Sequence, residues 1–182
     1  MARDRTDVIP LLGEVFRLYG FEGASIARIT AGTGLGKGSL YHFFPGGKEE
    51  MADAVLAEIR DWFETRVFRP LHRDPPPAAL ERMFDEVDSY FHAGQRICLV
   101  GAFALDDSRD RFAAAIAGYF SDWLEALADC LQRGGAGPEE ARRIARQVVA
   151  GIQGAIVMTR ALDDSAHFSA ILSTLRGICR RD

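Results

Sequence analysis

Cysteine is scarce: Cys98, Cys130 and Cys179 are the only three in 182 residues. They lie far apart with no C-x-x-C pair, which excludes a disulfide framework and leaves them as small core residues of a reduced, cytoplasmic protein. Long hydrophobic runs are missing too, so no segment is expected to span a bilayer. Met1-Ala2-Arg3-Asp4-Arg5 lacks the apolar stretch of a signal peptide. There is no convincing β alternation. No G-x-S-x-G elbow and no catalytic triad can be assembled. The histidines, His42, His72, His92 and His167, have no metal-ligand spacing. We therefore expect no catalytic residue, no metal, no cofactor and no membrane partner. Acid is missing from one particular stretch: no Asp or Glu stands between Gly23 and Lys48, while Arg28, Lys37 and Lys48 do. The formal net charge of −4 excludes a chain-wide basic nucleic-acid binder. It leaves room for a local face that meets an anionic partner.

What is present reads as helix nearly throughout. The apolar share, 48%, is enough for a real core. Apolar residues at helical spacing predict helices over about 7–19, 25–31, 37–44, 48–68, 78–92, 97–105, 109–133, 138–162 and 165–179. For the first, Asp7 is the expected N-cap, which puts Pro10 at the third helical position, where its missing N–H has no partner to lose. Gly20 is expected to end that helix, Ser25 to cap the next, and Pro138 to open the eighth at a position that favours proline. Pro70 with Asp74-Pro75-Pro76-Pro77 reads as the clearest linker.

Residues 25–44 form the informative pattern: a short helix, the turn Gly32-Thr33-Gly34-Leu35-Gly36, and a second short helix. That is a helix-turn-helix, whose second helix enters the major groove. Ile26, Ile29, Leu35, Leu40 and Phe44 pack it; Lys37, Ser39, Tyr41 and His42 are left facing outward. Lys37 can reach a phosphate or guanine acceptors. Gly38, without a side chain, lets the backbone approach the groove. Tyr41 and His42 can bond phosphate oxygens, and Lys48 can meet phosphate beside the N–H groups of the following helix. Ser25, Arg28 and Thr30 complete the candidate DNA-binding set. The glycine run does not qualify as a phosphate loop: Ala31 stands where the first Gly belongs, and Gly38 follows the Lys in place of Ser or Thr.

The segment from Ser25 through Lys37-Gly-Ser-Leu-Tyr to Phe44-Pro45, followed by Lys48-Glu49-Glu50-Met51, resembles the N-terminal signature of the TetR family of repressors over about residues 6–60. Cys98-Leu-Val-Gly-Ala-Phe-Ala-Leu is similar to one branch of that family. The resemblance implies an all-α chain of about nine helices. Residues 1–50 would form a three-helix DNA-binding head, and residues 51–182 a helical bundle for effector binding and dimerisation. Three departures stand out. Gly36 replaces a hydroxyl cap, Gly46-Gly47 adds a residue before Lys48, and Thr30 and Thr33 stand where Ala is usual. Buried, those hydroxyls need hydrogen-bond partners.

In the body, aromatic residues crowd facing helices. Phe84, Phe91, Phe103, Phe120 and Trp123 with Gln153 are the candidate effector-pocket residues, and plain core packing is the competing reading of any one of them. A small hydrophobic or aromatic effector fits such a lining. Gly151, Gly154 and Ala155 permit close helix approach, and Phe168, Ile171, Leu175 and Ile178 offer an apolar stripe; these are the candidate homodimer interface. The leading expectation is a homodimeric regulator, most simply a repressor, that reads a pseudo-palindromic double-stranded operator and is released by its effector. A helical carrier or enzyme with a vestigial head, and a sequence-independent architectural DNA protein, remain open alternatives.

Overall fold

The computed structural model describes residues 4–180. Residues 1–3 and 181–182, which the expected domain ranges include, lie outside them. Among the described residues there are nine helices and no strand. They are α1 (Arg5–Gly23), α2 (Ile26–Thr33), α3 (Lys37–Phe43), α4, α5 (Pro76–Tyr90), α6 (Leu99–Ala104), α7 (Ala113–Arg133), α8 (Pro138–Leu162) and α9 (Ser165–Cys179). Helix α4 runs Gly47–Phe63, widens into a π turn, Glu64–Phe68, and ends with Arg69–Arg73. No helix among the described residues is long and apolar enough to cross a membrane.

The chain divides into two compact units. One comprises Met1–Asp61 with Leu99–Ala117, the other Trp62–Cys98 with Gly118–Asp182. The boundaries fall inside α4 and α7, and α6 joins the N-terminal unit.

In the first unit α1 begins earlier than its sequence suggests. Asp4, not Asp7, is the N-cap: its carboxylate accepts from the Asp7 N–H at 3.0 Å, and the Asp7 carboxylate accepts from the Asp4 N–H at 3.1 Å. This reciprocal box satisfies two otherwise orphaned donors. Pro10 consequently lies inside the helix, where it deprives the Thr6 carbonyl of its usual donor. Gly20 breaks α1 by turning left-handed, at φ 67°. Ser25 caps α2, accepting from Arg28 N–H. Helix α2 extends through Thr33, so Gly32 lies within it, and the turn to α3 is made at left-handed Gly34. Thr33 is fully buried; its hydroxyl donates to the Ile29 carbonyl at 2.7 Å and accepts from Leu35 N–H at 3.3 Å.

Gly32 is there for contact rather than for turning. A Cβ at that position would stand 2.3 Å from Cγ2 of Val15, so α1 and α2 approach more closely than any side chain allows. Beside this contact Phe16, Phe21, Phe103 and Phe112 pack ring on ring, with centroids 5.0–6.1 Å apart.

The second unit is a bundle built from the end of α4, α5, most of α7, α8 and α9. Pro70 is not a linker. It is buried in the last turn of α4, preceded by the π turn, whose i→i+5 bond runs from Arg69 N–H to the Glu64 carbonyl. Only Asp74 and Pro75 separate α4 from α5, because Pro76 and Pro77 sit in the first turn, where no N–H is needed. Gly137 and Pro138 open α8 as expected. Asp164 caps α9 through the Ala166 N–H.

Replacing Gly32 by Ala should lower the urea midpoint, a net loss of about 1–3 kcal/mol from overpacking against a stiff, buried valine. The gain in helix propensity, about 1 kcal/mol, is too small to offset it. Adding Val15→Ala should restore much of the loss. A Gly32→Ala chain as stable as the parent would show that α1 and α2 separate without penalty.

Candidate functional sites

Helix α3 is seven residues long, too short to persist alone. It is held by Leu40, fully buried, and by Phe44 just beyond it, also fully buried. Arg5 braces its C-terminal end: Nε donates to the Phe43 carbonyl at 3.2 Å, and the guanidinium stands 4.8 Å from the Phe44 ring. Arg5 was not among the residues singled out from sequence; its distance in the chain from α3 hid the contact. With Leu40 turned in, Lys37, Gly38, Ser39, Tyr41 and His42 are all exposed on one short helix. A Cβ on Gly38 would meet nothing within 4 Å. Lys37 Nζ lies 5.9 Å from the Tyr41 ring. The acids that flank the acid-free stretch are engaged: Glu50 accepts from Gly46 N–H at 2.7 Å, and Glu49 accepts from Arg111 at 3.2 Å.

The other candidate DNA-binding residues have partners within their own unit. Ser25 caps α2. Thr30 donates to the Ala27 carbonyl at 2.8 Å. Arg28 donates to the Gly23 carbonyl at 2.7 Å and covers the Tyr19 ring at 4.3 Å. Lys48 is drawn inward, donating to the Phe21 carbonyl at 2.9 Å above the Phe21 ring, with Glu22 at 3.8 Å. The extra residue ahead of Lys48 is accommodated at Gly47, whose φ of 72° carries the chain beneath Tyr41.

In the second unit Phe63 is the hub. Around it stand Tyr90 at 4.9 Å, Tyr119 at 5.1 Å, Trp123 at 5.2 Å and Phe91 at 6.2 Å. Of the candidate pocket residues, Phe91 and Trp123 join this cluster. Phe120 is half-buried against Tyr119. Phe84 lies under the Arg176 guanidinium at 5.4 Å. Phe103 does not belong with them. It packs on Phe16, Phe21 and Phe112 in the first unit, because α6 folds with α1.

Buried polar atoms accompany these rings. Asp88 Oδ1, Tyr119 OH, Trp123 Nε1, Gln153 Nε2 and Thr159 Oγ1 have no hydrogen-bond partner among the described residues. Burial holds the Tyr119 phenol well above its ordinary range, with Cys98 and Tyr90 adding to the effect. Each orphaned group costs roughly 1–3 kcal/mol, so such a set calls for an explanation.

The interface residues separate by direction. Phe168 and Leu175 are buried in their own chain, at i and i+7 with Leu172 between them. Gly151 accommodates Leu175, since a Cβ there would come within 2.9 Å of it. Ala155 is buried too. Ile171 and Ile178 lie on the flank, half-buried. On α8, Gly154 is exposed beside Val157, Met158 and Leu162, all strongly exposed apolar residues. The open apolar face therefore centres on α8, rotated from the stripe expected on α9.

Tyr119→Phe deletes an orphaned hydroxyl and keeps the ring. It should raise the stability of the ligand-free protein by about 1 kcal/mol in urea unfolding; a loss of that size would mean that the hydroxyl is bonded.

The sequence profile described as "Bacterial regulatory proteins, tetR family" matches residues 14–55, and that of "Transcriptional regulator LmrA/YxaF-like, C-terminal domain" matches residues 76–174. The chain is similar to the HTH-type transcriptional regulator LmrA of Bacillus subtilis, at 24% identity over 97% of both chains. It is also similar to an HTH-type regulator of Mycobacterium tuberculosis, at 26% identity over 90% of this chain and 88% of that one. Among solved structures, a TetR transcriptional regulator from Legionella pneumophila superposes with a TM-score of 0.84 at 16% identity, covering 97% of each chain. The TetR family regulator CifR, as a cysteine mutant complexed with 26 bp of double-strand operator DNA, does so with a TM-score of 0.79 at 19% identity and the same coverage. At these identities the structural likeness speaks for the fold alone.

Proposed function

Since this chain belongs to the TetR family of bacterial regulatory proteins, with an LmrA/YxaF-like C-terminal domain, we propose that it is a homodimeric repressor that leaves its operator when a small aromatic effector binds. The family is one of transcriptional regulators, not enzymes. The observation that carries the reading is the outward face of α3: five consecutive or near-consecutive residues, Lys37, Gly38, Ser39, Tyr41 and His42, exposed and without an acidic side chain between Gly23 and Lys48.

On this reading α3 enters the major groove. Lys37 meets a phosphate or the guanine O6 and N7 acceptors. Gly38 lets the backbone come close, Ser39 offers a hydroxyl, and Tyr41 and His42 bond phosphate oxygens, which set register without reading sequence. Ser25, Arg28 and Thr30 at α2 and Lys48 at the start of α4 complete the candidate set. Their present partners keep the reading head in shape, and Lys48 reaches a phosphate only by leaving the Phe21 carbonyl. Two copies of the chain, joined through the α8 face around Gly154, Val157 and Met158 with Ile171 and Ile178 alongside, place two α3 helices on successive major grooves of a pseudo-palindromic site. The effector site is the aromatic cluster around Phe63 and Trp123, where the orphaned Tyr119, Trp123, Gln153 and Thr159 groups supply the few polar contacts that orient a ligand. Admission of a ligand requires those rings to repack. Release follows if the repacked state has the lower DNA affinity, the two affinities being linked reciprocally. The protein then works in the cytoplasm, where its operator is.

Two measurements test the reading. Operator sites are first selected from random DNA; Lys37→Ala and Tyr41→Ala should then each weaken binding about tenfold or more in gel shifts, at roughly 1–3 kcal/mol per lost contact. Thermal unfolding should be unchanged, and log affinity should fall steeply with log salt. Undiminished affinity in both variants would remove α3 from the interface. For the dimer, Val157→Glu should produce a monomer in sedimentation; a dimer that persists would place the interface elsewhere.

A further inference from the structure

At the end of the second unit where α5 begins and α7 and α9 finish, a cavity of about 390 Å³ opens, within the roughly 300–1,000 Å³ typical of small-molecule sites. It contains none of the rings of the Phe63 cluster. Its walls are apolar: Pro76 and Leu80 from α5, Leu131 after them on α7, and the two cysteines Cys130 and Cys179. Cys130 donates to the Pro76 carbonyl at 3.8 Å. Burial pushes the Cys130 thiol up to about 11 and the Cys179 thiol up to about 12, so both are neutral wall groups near pH 7.

The rim is different. Arg176 and Arg180 line the cavity with a single carboxylate, Glu81. Arg176 Nη1 donates to Glu81 Oε2 at 2.6 Å and Nη2 to Asp85 Oδ1 at 2.7 Å. Arg180 donates through Nε and Nη2 to Glu81 Oε1, at 3.1 and 2.7 Å. Both oxygens of Glu81 are thus taken, while Arg176 Nε and Arg180 Nη1 have no partner among the described residues. Arg180 is two-thirds exposed and so free to turn. An apolar hollow edged by guanidinium donors left over after Glu81 and Asp85 are bonded is complementary to a small anionic head with an apolar tail, whose oxygens can accept from those remaining N–H groups once Arg180 turns.

We propose that this cavity is a second ligand site, separate from the aromatic cluster, that takes a medium-chain carboxylic acid: the tail against Leu80, Leu131 and the two thiols, the carboxylate on Arg180 and Arg176. The site stands on its own geometry and does not depend on DNA binding by α3.

The full chain is titrated in a calorimeter with decanoate, decanol and decyltrimethylammonium. Decanoate should bind saturably, one per chain, with the alcohol and the cation about tenfold weaker, as the loss of a charge-assisted bond demands. Arg180→Gln, at an exposed position, should weaken decanoate about tenfold with an unchanged melting curve. Leu80→Trp, which fills the hollow, should abolish binding. Absence of saturable binding overturns the proposal. So does equal affinity for decanol, or indifference of decanoate binding to both substitutions.

Discussion

A helix of two turns has to be held by something other than itself, and here it is held from one side. Leu40 and Phe44 are fully buried, Phe43 is half-buried, Arg5 bonds the Phe43 carbonyl, and Lys37, Gly38, Ser39, Tyr41 and His42 are left to solvent. That asymmetry rests on the contact between α1 and α2, where Gly32 brings the α2 backbone against Val15. Move α2 outward by the thickness of a methyl and Gly34, the left-handed hinge to α3, moves with it. The outward face of α3 is therefore a consequence of packing behind it, and the polar residues on that face take no part in that packing.

The second unit works under a different tension. Its centre is filled by rings that pack on one another, with Phe63 touching six others. Around the rings remain buried polar atoms that no group among the described residues satisfies. A core selected for stability alone would carry Phe at position 119 and no amide at Gln153. Retaining groups that cost stability is the expected signature of a region whose bonding is completed by another molecule. The same unit shows the opposite arrangement at its far end, where the spare hydrogen-bonding capacity belongs to arginines around an apolar hollow.

Much of this was legible along the chain wherever a local rule decides the outcome. Gly20 ends the regular part of α1, Ser25 caps α2, Pro138 opens α8 and Ser165 starts α9, because caps and breakers act within one turn of themselves. Locality also explains the errors. Asp4 displaced Asp7 as the cap because the two carboxylates serve each other's N–H groups, and that moved Pro10 into the helix. Pro70 looked like a breaker, yet a π turn just before it lets α4 continue. Gly32 resembled a turn glycine and is instead a packing glycine, a distinction that depends on Val15, far away in sequence.

Helical periodicity, the acid-free stretch from Gly23 to Lys48 and the order Lys-Gly-Ser-Leu-Tyr were enough to establish an all-α chain with a helix-turn-helix at its head, since each is a property of neighbours in the sequence. Which aromatic residues share a core was not decided there. Periodicity reports that a residue faces inward, but not which helix it will meet. Only the tertiary structure could assign Phe103 to the company of Phe16 and Phe21, turn Phe168 and Leu175 into their own chain, and leave Val157 and Met158 exposed. Those outcomes come from the angles at which whole helices pack, and no single residue encodes them.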